Sequence, residues 1–211
     1  MKIIDILYED DEIILINKPQ GLAVQLGSGL NTSVDTILPM QTGKPVYLVH
    51  RLDKETAGIL IVAKSSSAAG KWTKLLSGSL VKKTYNAVCI GHPEKSQGII
   101  EDCIEQKGLK KNARTSYRLL KSVTKDDNTV FSLVEFTLDT GRMHQIRIHC
   151  AKNNFPIAGD DKYGNFKMNK EIRKKYGIKK LQLAAVELTI PVNNKNTIFS
   201  IPNPLALNLF D

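Results

Sequence analysis

Residues 49–64 read VHRLDKETAGILIVAK. Gly58 opens the apolar run ILIVA, which has the length and composition of a buried strand. Just ahead of it, Asp53 follows His50 and Arg51 and precedes Lys54. A carboxylate close to cations is held as the anion. A general acid would need the opposite surroundings, apolar and desolvated. Asp53, if chemical, is therefore suited to act as a nucleophile or as a stabiliser of positive charge. The same residues also suit a plain loop salt bridge, and local sequence leaves the two open.

Working outward, Ile3–Tyr8 and Ile13–Ile16 flank the acidic turn EDDE and read as a β-hairpin. NKPQGL follows as a loop. Thr32 is positioned to cap a short helix carrying Val34, Ile37 and Leu38. Beyond the buried strand, Ala68, Trp72, Leu75 and Leu76 recur at helical spacing, and Gly78 stands where the helix should end. KKTYNAVCIG returns to alternation, with Tyr85, Ala87 and Cys89 on one face of a strand. IIEDCI and TSYRLLKS read as strands around a basic loop, KGLKKNAR. FSLVEFTLDT is a further strand, and GRMHQIRIHCA fits either a strand or a helix. KMNKEIRKKYG suits a short polar helix, and LQLAAVELTIPV and TIFSIP close the chain as strands. Strands come first, helices are interspersed and hairpins are common. The fold class expected is α+β, with a mixed, largely antiparallel central sheet and flanking helices.

The 211 residues allow one large domain or two small ones, and 42% hydrophobic content supports a continuous core. No run approaches the ~20 apolar residues of a membrane span. Cys89, Cys103 and Cys150 are scattered and odd in number, without a metal or disulfide pattern, which fits a reducing cytoplasm. Thirty Lys and Arg against 21 Asp and Glu leave a net charge of +9. That excess favours a polyanionic partner, nucleic acid first, because phosphate neutralisation releases counterions.

Two more stretches carry chemistry. GRMHQIRIHC packs Arg142, His144, Arg147 and His149 into ten residues. His144 and His149 are five apart, on opposite faces of a strand and ~140° apart on a helix at ~100° per residue. Neither arrangement suits one metal ion, so no metal is expected. Phosphate contact and carboxylate pairing suit the arginines better. Tyr85 is either a half-buried strand residue or a ring that stacks on a base. No glycine-rich phosphate loop is present, and no cofactor is expected.

The motifs in order resemble the RluA-type RNA pseudouridine synthases. VHRLDKETAG is similar to that family's HRLD-x-x-T-S-G segment, NKPQGLAV to NKP-x-G-L-x-V, and LVKKTYNAVCIG to K-x-Y-x-A-x-V-x-G. ARTSYRLLK, GRMHQIRIH, PIAGDDKYG and LQLAAVEL resemble four further family segments, in the same order, out to about residue 202. Ala57, Met143 and Ala184 stand where the family has serine, threonine and histidine.

The resemblance implies a pseudouridine synthase fold with a catalytic cleft, in one catalytic domain over residues 1–211 without a preceding RNA-binding domain. It implies an isomerase that converts uridine in RNA to pseudouridine without a cofactor. Asp53 corresponds to the catalytic aspartate, Arg147 to the basic residue that pairs with it, and Tyr85 to the aromatic that stacks on the target base. Leu183 matches the aliphatic residue closing the other side of the uracil, and Arg51 is a candidate to fill the space left by the extruded base. His50, Arg142, His144 and Gln145, in the same motifs, are read as substrate-binding. Lys107, Lys110, Lys111 and Arg114, and the basic stretch 169–180, are candidates for gripping RNA. GDDKYG followed by a polar insert resembles members acting on large-subunit ribosomal RNA more than those acting on tRNA. A catalytically silent RNA-binding module and a base-removing glycosidase are the competing readings. The chain is expected to be a cytoplasmic monomer with RNA as its partner and no membrane contact.

Overall fold

The computed structural model describes residues 3–27, 29, 31–78, 80–106, 108–193 and 195–211. The elements run β1 (Asp5–Glu9), β2 (Ile13–Lys18), α1 (Val34–Thr42), β3 (Tyr47–Leu48), β4 (Ala57–Ala63), α2 (Ser66–Ser77) and β5 (Lys82–Ile90). There follow β6 (Gln97–Gln106), β7 (Leu109–Thr124), β8 (Val130–Leu138), α3 (Gln145–Lys152), α4 (Phe166–Tyr176), β9 (Leu183–Val192) and β10 (Lys195–Ser200). A 3-10 turn at Leu207–Phe210 ends the chain. The expected α+β class holds, with a mostly antiparallel sheet in which β1–β2, β2–β4, β9–β10, β5–β8, β6–β7 and β7–β8 all pair antiparallel. The chain divides into two compact units, Met1–Lys82 with Ala185–Pro202, and Lys83–Ala184 with Asn203–Asp211.

The first unit begins with the expected hairpin. Asp10 fixes its turn by accepting the backbone N–H groups of Glu12 and Ile13, both at 2.8 Å. β2 pairs with β4, and both are almost wholly apolar and buried. Helix α2 covers this sheet with Ala68, Trp72 and Leu76, which pack with Ile13, Leu15, Ile59, Ile61, Leu188 and Ile190. Ser65 caps the helix, its hydroxyl accepting from the Ala68 N–H at 3.1 Å. Helix α1 is capped by Ser33 and not by Thr32: Ser33 and Thr36 exchange the reciprocal bonds of a capping box, a spacing one residue later than expected. Gly58 is required where it stands. Its φ is +114°, and a Cβ there would lie 2.1 Å from the Ala185 carbonyl oxygen.

The second unit has the strand order β5-β8-β7-β6. The stretch expected as a basic loop is strand: KKNAR lies within β7, and Gln106 pairs with Leu109 across the tight β6–β7 turn. Its polarity hid the strand, because only Ala113 and Thr115 turn inward while Lys110, Lys111, Asn112 and Arg114 face solvent. The ambiguous GRMHQIRIHCA resolves as helix α3. Ile146, His149 and Cys150 form its buried stripe at i, i+3 and i+4. A second core gathers Val88, Ile90, Phe131, Leu133, Ala158, Ile172, Ile178 and Leu209. Among the described residues, no helix is long and apolar enough to cross a membrane.

Candidate active site

Asp53 sits in the loop between β3 and β4 of the first unit, and the loop is pinned from several directions. Leu52 and Thr56 are buried, and the Thr56 N–H donates to the Asp53 carbonyl at 3.1 Å. The His50 Nε2 accepts the Ile61 N–H at 3.1 Å, so this imidazole is tied to β4. Asp53 itself is half-buried and Arg51 exposed, which leaves this stretch of loop at the surface of its unit.

The strongest anchor is Lys18, a residue to which sequence reasoning gave no role. It is wholly buried. Its ammonium donates to the carbonyls of Leu22 at 2.8 Å, Pro19 at 3.1 Å and Lys54 at 3.2 Å. Buried ammonium groups are costly unless their donors are satisfied, and here backbone carbonyls accept from it. The Gly21 N–H also reaches the Lys54 carbonyl at 2.9 Å, and the Gln20 amide reaches Glu55 at 2.8 Å. The NKPQGL segment is thereby fastened to the two residues that follow Asp53. The signal was present as the NKP triplet, but its partner lies 36 residues away.

The second unit carries the other candidates. Arg147 on α3 is buried and meets Asp160 face to face, Nε to Oδ2 at 2.8 Å and Nη2 to Oδ1 at 2.7 Å. This is the bidentate geometry that only the planar guanidinium provides. The Asp160 Oδ1 also accepts the N–H groups of Lys162 at 3.0 Å and Tyr163 at 3.1 Å. Burial pushes the Asp160 carboxyl up, but the Arg147 hydrogen bonds and the two backbone donors outweigh it, leaving its pKa below the ordinary carboxylate value. The Arg147 guanidinium carbon also lies 5.2 Å from the centre of the Tyr163 ring. Gly159, with φ +74°, lets the turn before Asp160 pass the Lys180 backbone; a Cβ would come 2.3 Å from that carbonyl oxygen.

The start of α3 is equally fixed. His144 has φ +57° and hydrogen-bonds through Nδ1 to the Tyr163 hydroxyl at 2.8 Å. Gln145 is committed on both sides of its amide. Its Nε2 donates to Arg114 O and Thr115 Oγ1, while Oε1 accepts from Thr140 Oγ1 and the Arg142 N–H. Gln145 thus fastens α3 to β7. Arg142 donates through Nε to the Asn112 carbonyl at 3.1 Å. Asp160 and Tyr163, unassigned in the sequence reading, are what orient Arg147 and His144; GDDKYG was the visible trace.

Tyr85 is buried on β5 opposite Phe136 of β8, and Leu183 is buried at the start of β9. Lys110 and Lys111 are exposed on β7, with Glu105 across from Lys110. Arg114 is held between Glu101 at 3.0 Å and Asp139 at 2.9 Å. Lys107 lies outside the described residues. The histidines expected not to share a metal have different surroundings. His149 is fully buried, and burial first, then Lys152, lowers its pKa against the opposing pull of Asp102. Among the described residues, no cluster of His, Cys, Asp and Glu could hold a metal ion.

Most of this chain matches known proteins. The family model described as RNA pseudouridylate synthase matches residues 12–152. A Rickettsia bellii protein named ribosomal large subunit pseudouridine synthase C is 48% identical over 77% of this chain and 58% of its own length. The Escherichia coli K12 protein named ribosomal large subunit pseudouridine synthase D is 34% identical over 76% of this chain and 52% of its own. The chain thus spans between half and three-fifths of the length of these relatives. The solved structure titled Human RNA Pseudouridylate Synthase Domain Containing 4 superposes with a TM-score of 0.78 at 26% identity, over 95% of this chain and 88% of that one. With the family model reaching from β2 through the end of α3, the chain belongs to the RNA pseudouridylate synthase family.

Proposed function

We propose that this protein isomerises uridine in RNA to pseudouridine, with Asp53 as its essential carboxylate. The N1–C1′ bond breaks, the uracil turns, C5 bonds to C1′, and the C5 proton leaves while N1 regains one. Bonds and protons balance without a redox partner or group donor. The ionised Asp53 adds to the base or sugar, or draws off a sugar proton as the glycosidic bond opens. Arg147 serves as the cation that pairs with this carboxylate. Tyr85 and Leu183 take the two faces of the uracil, and Arg51 occupies the space the base vacates. A stacked base is out of reach, so the target flips out at a cost of a few kcal/mol. His50, Arg142, His144 and Gln145 shape the substrate site directly or through the backbone they hold. Lys110 and Lys111, on the exposed arm of β7, add phosphate contact.

The observation that carries this reading is the family match across residues 12–152, which includes a loop that pins the two residues following Asp53. The relatives named for the ribosomal large subunit support large-subunit ribosomal RNA as the substrate. The test is incubation with ribosomal RNA tritiated at uracil C5. The protein should release tritium to water and leave pseudouridine at defined positions. Asp53→Asn should still bind RNA but release no tritium. Tritium release by Asp53→Asn removes the carboxylate assignment, binding without release by the parent makes the chain a silent RNA-binding module, and free uracil makes it a glycosidase.

A further inference from the structure

Helix α4 carries more positive charge than its packing uses. It docks through Asn169 and Ile172, which are buried, and Tyr176, whose ring meets Phe131 edge-on at 5.1 Å. Asn169 fixes the helix to the turn that holds Arg147. Its amide donates to the Asp160 carbonyl at 2.9 Å, and its oxygen accepts the Gly159 N–H at 3.2 Å. At the C-terminal end Lys175 is paired with Asp127 at 2.6 Å. Arg173 stands 3.6 Å from Asp161.

The remaining lysines are different. Lys167, Lys170 and Lys174 are exposed and none forms an ion pair among the described residues, while Glu171, exposed on the same helix, stands one turn from Lys167. At ~100° per residue, Lys170, Arg173 and Lys174 share a side with Phe166, and Lys167 flanks them. Phe166 is 75% exposed in the first turn, where Asn165 caps the helix by accepting the Met168 N–H at 3.1 Å. One exposed ring means little by itself. A ring bordered by unpaired cations on a rigid, docked helix is the combination that binds a single strand, stacking on a base while neutralising its phosphates. Lys167 to Lys174 spans ~10 Å at ~1.5 Å per residue.

We propose that this face of α4 is a second RNA-binding surface, where Phe166 stacks on an unpaired base and Lys167, Lys170 and Lys174 contact the adjoining phosphates. The proposal rests on RNA being the ligand of the protein.

The test is fluorescence anisotropy with a labelled 20-nucleotide single-stranded RNA of mixed sequence, across a salt series. Replacing Lys167, Lys170 and Lys174 together by Gln should reduce the slope of log K against log salt by about 2, at ~0.7 per phosphate contact on a single strand. A charge-matched control, Lys44, Lys74 and Lys195 to Gln, should keep the parent slope. Phe166→Ala should weaken binding by roughly 5- to 150-fold, the equivalent of ~1–3 kcal/mol per stacked base, and leave the slope alone. Phe166→Trp should bind as the parent does. Parent-like slope and affinity in the α4 variants, or equal losses in the control, overturn this surface while leaving RNA binding intact. A parent that binds no RNA overturns both this surface and the proposed function. Loss of binding to phosphatidylglycerol vesicles in the lysine variant, with RNA binding unchanged, makes the face a membrane contact and overturns the proposal.

Discussion

Asp160→Asn tests whether Arg147 is oriented from behind by a single carboxylate. The substitution keeps the side-chain shape but replaces one acceptor oxygen with an NH₂ group. The Asp160 oxygens receive four donors, two from Arg147 and one each from Lys162 and Tyr163. In the variant an NH₂ must face a donor, and the guanidinium, only 10% exposed, loses the negative charge of this partner. Removing one partner of a buried ion pair costs ~3–5 kcal/mol. At a urea slope of about 2 kcal/mol per molar, a loss of about 4 kcal/mol lowers the unfolding midpoint by about 2 M. Far-UV circular dichroism reads that midpoint, and hydrogen exchange should locate the loosening in the amides of α3. The pH dependence has a definite sign. The folded carboxyl has a pKa below its ordinary 3.8, so its stabilisation is full above that value and is lost as pH falls through the lower, folded pKa. The gap between parent and variant should therefore be constant near neutrality and close in strong acid. A midpoint within about 0.3 M of the parent, less than 1 kcal/mol at that slope, with α3 still protected, refutes the view that Asp160 holds Arg147.

Other perturbations follow from the same geometry. Lys18→Met removes the ammonium from the Leu22 and Lys54 carbonyls and should cost about 2–3 kcal/mol for the acceptors left unmet, read through the fluorescence of Trp72 in the core of the same unit. A parent-like midpoint with undiminished protection of the Gly21 and Thr56 amides would show that Lys18 does not pin the loop. Gly58→Ala places a methyl group 2.1 Å from the Ala185 carbonyl oxygen at a positive φ, and should cost about 4 kcal/mol or more in thermal unfolding. A soluble Gly58→Ala protein that melts with the parent contradicts the close approach of β4 and β9.

What the sequence makes plain and what it hides differ in range. The β2 and β4 strands and helix α2 are legible because each buries a face whose period lies within a dozen residues, as in ILIVA and Ala68–Trp72–Leu76. The first part of β7, KKNAR, fails that test, since its buried positions are the small Ala113 and the polar Thr115 beyond it, and alternation built on them has too little contrast to see. GRMHQIRIHCA satisfies both periods at once. The αL conformation of His144 and the four hydrogen bonds of Gln145 decide for a helix, and their partners on β7 are about thirty residues distant. Asp53 and Arg147 are visible as an acid among cations and a basic cluster. Their supports, Lys18 and Asp160, are visible only as letters in motifs, because their roles reside in the carbonyls and guanidinium they meet in three dimensions.

Those two supports share a physical logic. A buried ion pair or ammonium contributes little net stability, because desolvation offsets most of the attraction, and apolar packing of equal volume does as well. Stability alone therefore gives no reason for Lys18 or Asp160 to be charged. Position does. Loops are the more mobile parts of a fold, yet a reacting group must be held to within about 0.5 Å. A charge with several fixed partners has one good geometry, and departures from it expose unmet donors or acceptors at ~1–3 kcal/mol each. Apolar contacts are non-directional and would tolerate sliding. Lys18 imposes that stiffness on the backbone after Asp53, and Asp160 imposes it on the plane of the Arg147 guanidinium. In the proposed function a carboxylate and a guanidinium act together, and a buried charge steadies the support of each.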